Sequence, residues 1–283
     1  MKFILFCLLL TFPSLTLAKR AAPPTQEVIV KKGEAYQGVK FPEGTILRVY
    51  VSGGAVASAT LSQDFTLSGV KLLKGTSLQI YENGALFDFY PLEGQKVGEL
   101  TFGKEQASSV RFSAAGKLEY IFLRNQMTIQ GIRFGGAGQA QFYPNGKLQR
   151  ASYLEAQEKD GLNIAFNSSA TFYQDGKLQQ VTLGKESRFG ELKLKGDPNP
   201  ANPGETEFWP NGKLKNAVLA KSASIDGYPC APGRISFFES GKLQTLILGG
   251  DKKVMLNSYP KDAHAGDSLN LSEDGKVIGW GGK

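Results

Sequence analysis

One short pattern recurs along this chain and limits what it can fold into. Phe142-Tyr143-Pro144-Asn145-Gly146-Lys147-Leu148 returns as Phe172-Tyr173-Gln174-Asp175-Gly176-Lys177-Leu178, as Phe208-Trp209-Pro210-Asn211-Gly212-Lys213-Leu214, and as Phe237-Phe238-Glu239-Ser240-Gly241-Lys242-Leu243. Weaker copies end at Gly53, Gly84, Gly116 and Gly275. Taking Gly53, Gly84, Gly116, Gly146, Gly176, Gly212, Gly241 and Gly275 as the register gives spacings of 31, 32, 30, 30, 36, 29 and 34. A second duplication has the same period: the segment from Gly38 to Leu47 recurs as Gly69 to Leu78. Self-similarity at a fixed period marks a repeat array, in which each unit buries its apolar face against its neighbours. Eight units cover nearly all of the chain.

The core of the pattern is a turn. In Tyr143-Pro144-Asn145-Gly146, proline presets φ at the second position and Asn suits the third. Glycine then takes the left-handed conformation that closes a bulged β-hairpin. Alternating flanks on both sides read as strands, and a further short strand opens each unit, as at 161–166. Each unit is thus expected to be a small meander of about three strands. No helical periodicity of similar strength appears beyond Ala18. The predicted fold is all-β: an elongated antiparallel array of about eight units of ~30 residues. Tight hairpins argue against a parallel β-helix. A closed, propeller-like ring is the alternative, although its blades usually need four strands in about 40 residues.

Side chains alternate across a strand, so stacking the units produces two columns. The first, Val49, Ile80, Phe112, Phe142, Phe172, Phe208, Phe237 and Leu271, is assigned to the core. The second contains Tyr50, Tyr81, Tyr143, Tyr173, Trp209 and Phe238, with Ser113 and Ser272. Tyr81, Tyr143, Tyr173, Trp209 and Phe238 are candidate binding residues, because exposed aromatic faces stack on sugar rings or cover a protein strand. The competing reading is that a second layer covers them. Lys147, Lys177, Lys213 and Lys242 follow the turn glycines as a basic row, suited either to an anionic polymer or simply to solubility and edge protection. The eight turn glycines are assigned a structural role. Longer interruptions at 196–204, 225–233 and 257–267 carry Asp197, Asp226, Asp262 and Asp267, but no calcium-loop spacing and no distinct pair of hydrolytic carboxylates. No zinc set, nucleophile elbow, phosphate loop or dinucleotide fingerprint is present, so no catalytic residue, metal or cofactor is assigned.

The aromatic-x-x-Gly-Lys-Leu core at Gly146, Gly176, Gly212 and Gly241 resembles the variant MORN-like repeats of bacterial proteins. The resemblance spans about 85–283 and is strongest over 142–248; the period near 30 is longer than that family's. It implies an elongated sheet of hairpins, and for function an antitoxin-like, immunity partner of an exported toxin.

The segment 1–18 reads as a signal peptide: Lys2, an apolar run from Phe3 to Leu10, and a Thr16-Leu17-Ala18 end. Residues 19–27 then serve as a linker and 28–283 as the β-repeat domain. The apolar run is too short for a good membrane span. Cleavage would remove Cys7 and leave Cys230 alone, with no internal disulfide. It would also leave 32 basic against 26 acidic residues, a net charge of +6. That modest excess fits an anionic or glycan envelope polymer, or a protein, better than nucleic acid, whose recognition motifs are missing. Taken together, these features predict a non-catalytic, exported, periplasmic or secreted protein acting as a binding or scaffold surface. A carbohydrate-binding or carbohydrate-active protein is the alternative.

Overall fold

The computed structural model describes residues 23–197, 205–256 and 258–281, so the expected signal peptide lies outside the described residues. All elements among them are strands. The eight motif copies form eight principal hairpins, from Ile46–Tyr50 with Val56–Thr60 to Ser268–Leu271 with Val277–Gly281. Successive hairpins pair edge to edge, as in Tyr120↔Gln141 and Arg150↔Thr171. The result is one large, mostly antiparallel sheet that does not close on itself: among the described residues the first strand, Thr25–Ile29, pairs only with the second, and the last, Val277–Gly281, has no bond to the first. The closed ring is therefore excluded. Thr25 already belongs to the sheet, so the stretch 19–27 assigned as linker contributes its last three residues to a strand.

All eight register glycines have positive φ, between 72° and 93°. In the unit at Gly146, the Gly146 N–H donates to the Tyr143 carbonyl and the Tyr143 N–H to the Lys147 carbonyl, both at 2.8 Å. Every principal hairpin then slips register at its column residue, for example between Gln141 and Phe142. That is the bulge which a type I turn followed by a left-handed residue imposes on a hairpin.

Each unit has four strands rather than three. Between successive principal hairpins the chain makes a second, smaller one, such as Gln157–Lys159 with Leu162–Ile164 or Ser187–Phe189 with Leu192–Leu194. A similar small turn, bridged by Tyr36 and Val39, precedes the first principal hairpin. At five of these small turns the two central residues both have positive φ: Gln37-Gly38, Ser68-Gly69, Gln130-Gly131, Asp160-Gly161 and Asp226-Gly227. Such type I′ turns match the twist of the flanking strands. Two of the supposed insertions, 225–233 and 257–267, are largely strands of such hairpins, Tyr228–Cys230 and Tyr259–Ala263; residues 198–204 lie outside the described residues.

The small hairpins lie over one face of the large sheet, and the core sits between. The first column, Val49 through Leu271, is buried throughout. Small-hairpin residues Leu72, Ile129, Ile164 and Leu194 join it in one apolar cluster. Phe189 of a small hairpin packs on column residue Phe208 with ring centroids 5.3 Å apart. The large sheet's inward residues include Ala140, Ala151, Ala170 and Ala217, all buried, which lets the covering layer approach closely.

The two layers are also tied by polar contacts. A bulge withdraws one N–H from the ladder, and in four units the residue before the small hairpin's turn glycine accepts it. Val56 N–H donates to Gln37 Oε1, Leu86 N–H to Ser68 Oγ, Leu148 N–H to Gln130 Oε1 and Leu243 N–H to Asp226 Oδ2. Cys230 is buried, and desolvation pushes its thiol up to about 11, so it is an inert core residue rather than a nucleophile.

Candidate functional site

The sequence-derived aromatic and lysine candidates stand at the principal turns, and the structure commits most of them to joining units. Tyr81, Tyr143, Tyr173, Trp209 and Phe238 are half-buried. The Tyr81 hydroxyl donates to the Phe112 carbonyl at 2.8 Å, Tyr143 to Phe172 at 2.9 Å and Tyr173 to Phe208 at 2.8 Å; Trp209 Nε1–H donates to Phe237 at 3.0 Å. Each acceptor is the core-column residue of the next unit. Lysines extend the same link. Lys177 Nζ donates to the Pro210 carbonyl and pairs with Asp175, and Lys213 Nζ donates to the Ser240 carbonyl. Lys147 and Lys242 are exposed. At Tyr81, Tyr143, Tyr173 and Trp209 the ring tips thus bridge the repeats. Replacing Tyr173 by Phe removes one such bond while keeping the ring, and is expected to cost about 1 kcal/mol in urea unfolding.

The large uncovered surface is instead the sheet's other face. The antiparallel register aligns its side chains into two rows. One runs Tyr120, Gln141, Arg150, Thr171, Gln180, Glu207, Asn216 and Ser236. The neighbouring row carries Phe122, Gln139, Ser152 and Ser169. Amides and hydroxyls dominate, with isolated charges. Over these rows lies an open groove of about 680 Å³, lined by Tyr120, Gln139, Gln141, Arg150, Ser152, Tyr153, Ser169, Thr182 and Glu205 among others. A smaller groove of about 310 Å³ continues beyond Glu205 past Asn216 and Arg234.

Toward the N-terminal end the same face becomes aromatic. Tyr120 and Phe122 stack with centroids 5.9 Å apart, and the Arg111 guanidinium sits 5.1 Å from the Phe87 ring centre and 5.5 Å from that of Phe122. Arg111 Nε approaches Asp88 Oδ2 to 3.5 Å as an ion pair without a directed hydrogen bond. Ser109 Oγ–H donates to the same carboxylate. Burial raises the Asp88 carboxyl above its usual range, against the lowering influence of Ser109 and Arg111. Because the folded pKa exceeds the unfolded one, the folded state holds the proton more tightly, and stability is lost as pH rises through that window. Asp88→Asn is accordingly expected to unfold at higher urea than the parent at pH 7, with the difference vanishing below the ordinary carboxylate range; equal midpoints at pH 7 would refute the sign.

The regular array is interrupted beside the larger groove. Phe134 pairs with Leu154 and Gln139 with Ser152, leaving residues 135–138 opposite Tyr153 alone. Ala137, Tyr153 and Asn167 all have positive φ, at 64°, 57° and 58°. A left-handed backbone at a bulky residue costs roughly 1–2 kcal/mol, and Tyr153 is left 46% exposed there. Phe166, 66% exposed, stands on the far side of Asn167 at a second groove of about 650 Å³. Strain of this kind concentrates at functional sites.

Two of the four loop acids bond to backbone. Asp226 accepts the Leu243 N–H as described, and Asp267, buried, accepts the N–H of His264. His264 Nδ1 lies 3.5 Å from Asp251 at the surface. Asp262 is exposed on its strand. Among the described residues no group of three or more His, Cys, Asp or Glu is placed to hold a metal ion. Motif reading passed over the open-face row because its residues vary in identity; the signal available was position, two and four residues before each turn. No protein-family model matches the chain, and no curated protein matches it.

Proposed function

We propose that the protein is an exported, non-catalytic binding scaffold whose uncovered sheet face meets its partner in the cell envelope or outside the cell. The observation that carries this reading is the asymmetry of the two faces. One face is packed under a continuous layer of small hairpins, while the other presents aligned rows of polar side chains and open grooves over several units. A repeat array builds such an extended surface by stacking, and side chains on it vary without disturbing the core. The signal-peptide pattern ending at Ala18 supports export, and the MORN-like resemblance agrees with a hairpin scaffold. The Cys230 thiol is buried, and Asp226 and Asp267 each accept a backbone N–H, which leaves these three groups committed to structure.

Co-sedimentation of the purified protein with cell-envelope fractions tests the reading. The parent is expected to pellet, a Gln141→Ala, Arg150→Ala double variant to stay in solution, and a Lys147→Ala, Lys242→Ala variant to behave as the parent. If the lysine variant alone loses pelleting, the turns and not the open face form the binding surface.

A further inference from the structure

We infer that the groove between Tyr120 and Glu205 is a subsite for a neutral, hydroxyl-rich glycan chain; this rests on the reading of the open face as the binding surface. Four properties of the groove point to that chemistry. First, its length suits a chain rather than a single small molecule. It crosses the strands bearing its lining residues Tyr120, Gln141, Arg150, Ser169, Thr182 and Glu205 in five steps, which at about 4.8 Å each gives about 24 Å.

Second, its charges balance. Arg150 and Glu205 are the only ionisable groups among its lining residues apart from the two tyrosines, so it offers no net field for a polyanion. Third, its remaining polar groups are amides and hydroxyls, each both a donor and an acceptor. Those of Gln139, Gln141, Ser152 and Thr182 match the hydroxyl rim of a pyranose, which also donates and accepts. Fourth, aromatic rings bound it. Tyr120, backed by Phe122, stands at one end, and Tyr153 rises from the wall on its left-handed backbone. Pyranose C–H faces stack on such rings, and an apolar surface flanked by a few fixed polar groups is how ligand sites combine affinity with orientation.

A peptide fits this groove less well. Every strand across the five steps is paired on both sides, so none offers a free edge to an added strand. The strained Tyr153 is also explained. A glycine or asparagine would suit φ +57° better, and the tyrosine keeps its ring exposed there.

Titration calorimetry of the purified full chain with neutral hexasaccharides, cellohexaose, maltohexaose and hexa-N-acetylchitohexaose, and with an anionic galacturonate hexamer tests this. At least one neutral chain is expected to bind, with affinity unchanged between low and high salt. Tyr153→Asn is expected to weaken that binding about tenfold while leaving the urea midpoint equal or higher, since it removes a ring and relieves the backbone. Gln141→Ala provides a second variant, with a similar loss. The inference is overturned if no neutral chain binds, if only the anionic hexamer binds and salt reverses it, or if Tyr153→Asn folds and binds as the parent. Should envelope pelleting still depend on Gln141 and Arg150 when every neutral hexasaccharide fails, the glycan assignment falls and the open-face reading survives; loss of both results removes both.

Discussion

Gly84→Ala is expected to destabilise the protein by about 2–5 kcal/mol, while the same change at Gly146 costs only about 1–2 kcal/mol. The two glycines occupy the same place in their units and have nearly the same φ, +81° and +80°. Both alanines therefore meet the left-handed penalty. What differs is the space around them. A Cβ on Gly84 would lie 2.6 Å from the Gln37 carbonyl oxygen and 2.9 Å from Val39 Cγ2, whereas nothing lies within 4 Å of one on Gly146. Gln37 cannot easily retreat. Its amide donates to the Tyr81 carbonyl and accepts the Val56 N–H, so the small hairpin's tip is fixed to the turn that would push it away. Urea unfolding of the two variants measures the difference directly. Equal losses would mean that this tip does not rest on the turn and that Gln37 does not tie the layers together at this unit.

The second large effect belongs to a buried glutamine. Gln95 is fully buried, and its side chain acts as a missing strand for the preceding small hairpin: Oε1 accepts the Leu73 N–H at 3.1 Å, and Nε2 donates to the Lys71 carbonyl at 2.6 Å and to Lys96 at 3.1 Å. Gln157 does the same for Arg133, whose N–H and carbonyl it both engages. Gln95→Leu keeps much of the volume but takes the side-chain partner from the Leu73 donor and from the Lys71 and Lys96 acceptors, at about 1–3 kcal/mol for each group left unpaired. The expected loss is about 2–5 kcal/mol, measured as a fall in urea midpoint. Gln95→Glu at pH 7 should be no better, because a carboxylate retains the acceptor for Leu73 but loses the donor and carries a buried charge. A Gln95→Leu variant as stable as the parent would show that these backbone groups find other partners.

Both predictions concern contacts between consecutive hairpins, which is where a repeat protein concentrates its cooperativity. The ring-tip bonds of Tyr81, Tyr143, Tyr173 and Trp209 belong to the same system, at the outer end of each unit. With the turns and the covered face assigned to cohesion, the uncovered rows are free of that duty. Their composition can follow the partner.

Much of this was legible in the chain itself. The Phe-Tyr-Pro-Asn-Gly-Lys-Leu copies determined the number of principal hairpins, the turn type and the identity of the buried column, because a left-handed glycine after a type I turn and a period-two alternation are local properties. The four-strand unit was also written in the sequence, as the pairs Gln37-Gly38, Ser68-Gly69 and Gln130-Gly131, weaker hairpin signals than Asn-Gly, and as Asp160-Gly161 and Asp226-Gly227, which are as strong. So was the even spacing of Gln95, Gln126 and Gln157, although it does not tell that Gln95 is buried while Gln126 is exposed and reaches Glu155. Only the tertiary structure decided which face the small hairpins cover, that the ring tips end on the next unit's carbonyls, and that Tyr120, Arg150 and Glu205, far apart in the chain, line one groove. Alternation along a strand divides its side chains into two sets but does not say which set faces a second layer. That choice is made by packing between segments distant in the chain, where the apolar column and the small hairpins together exclude water from one side and leave the other open.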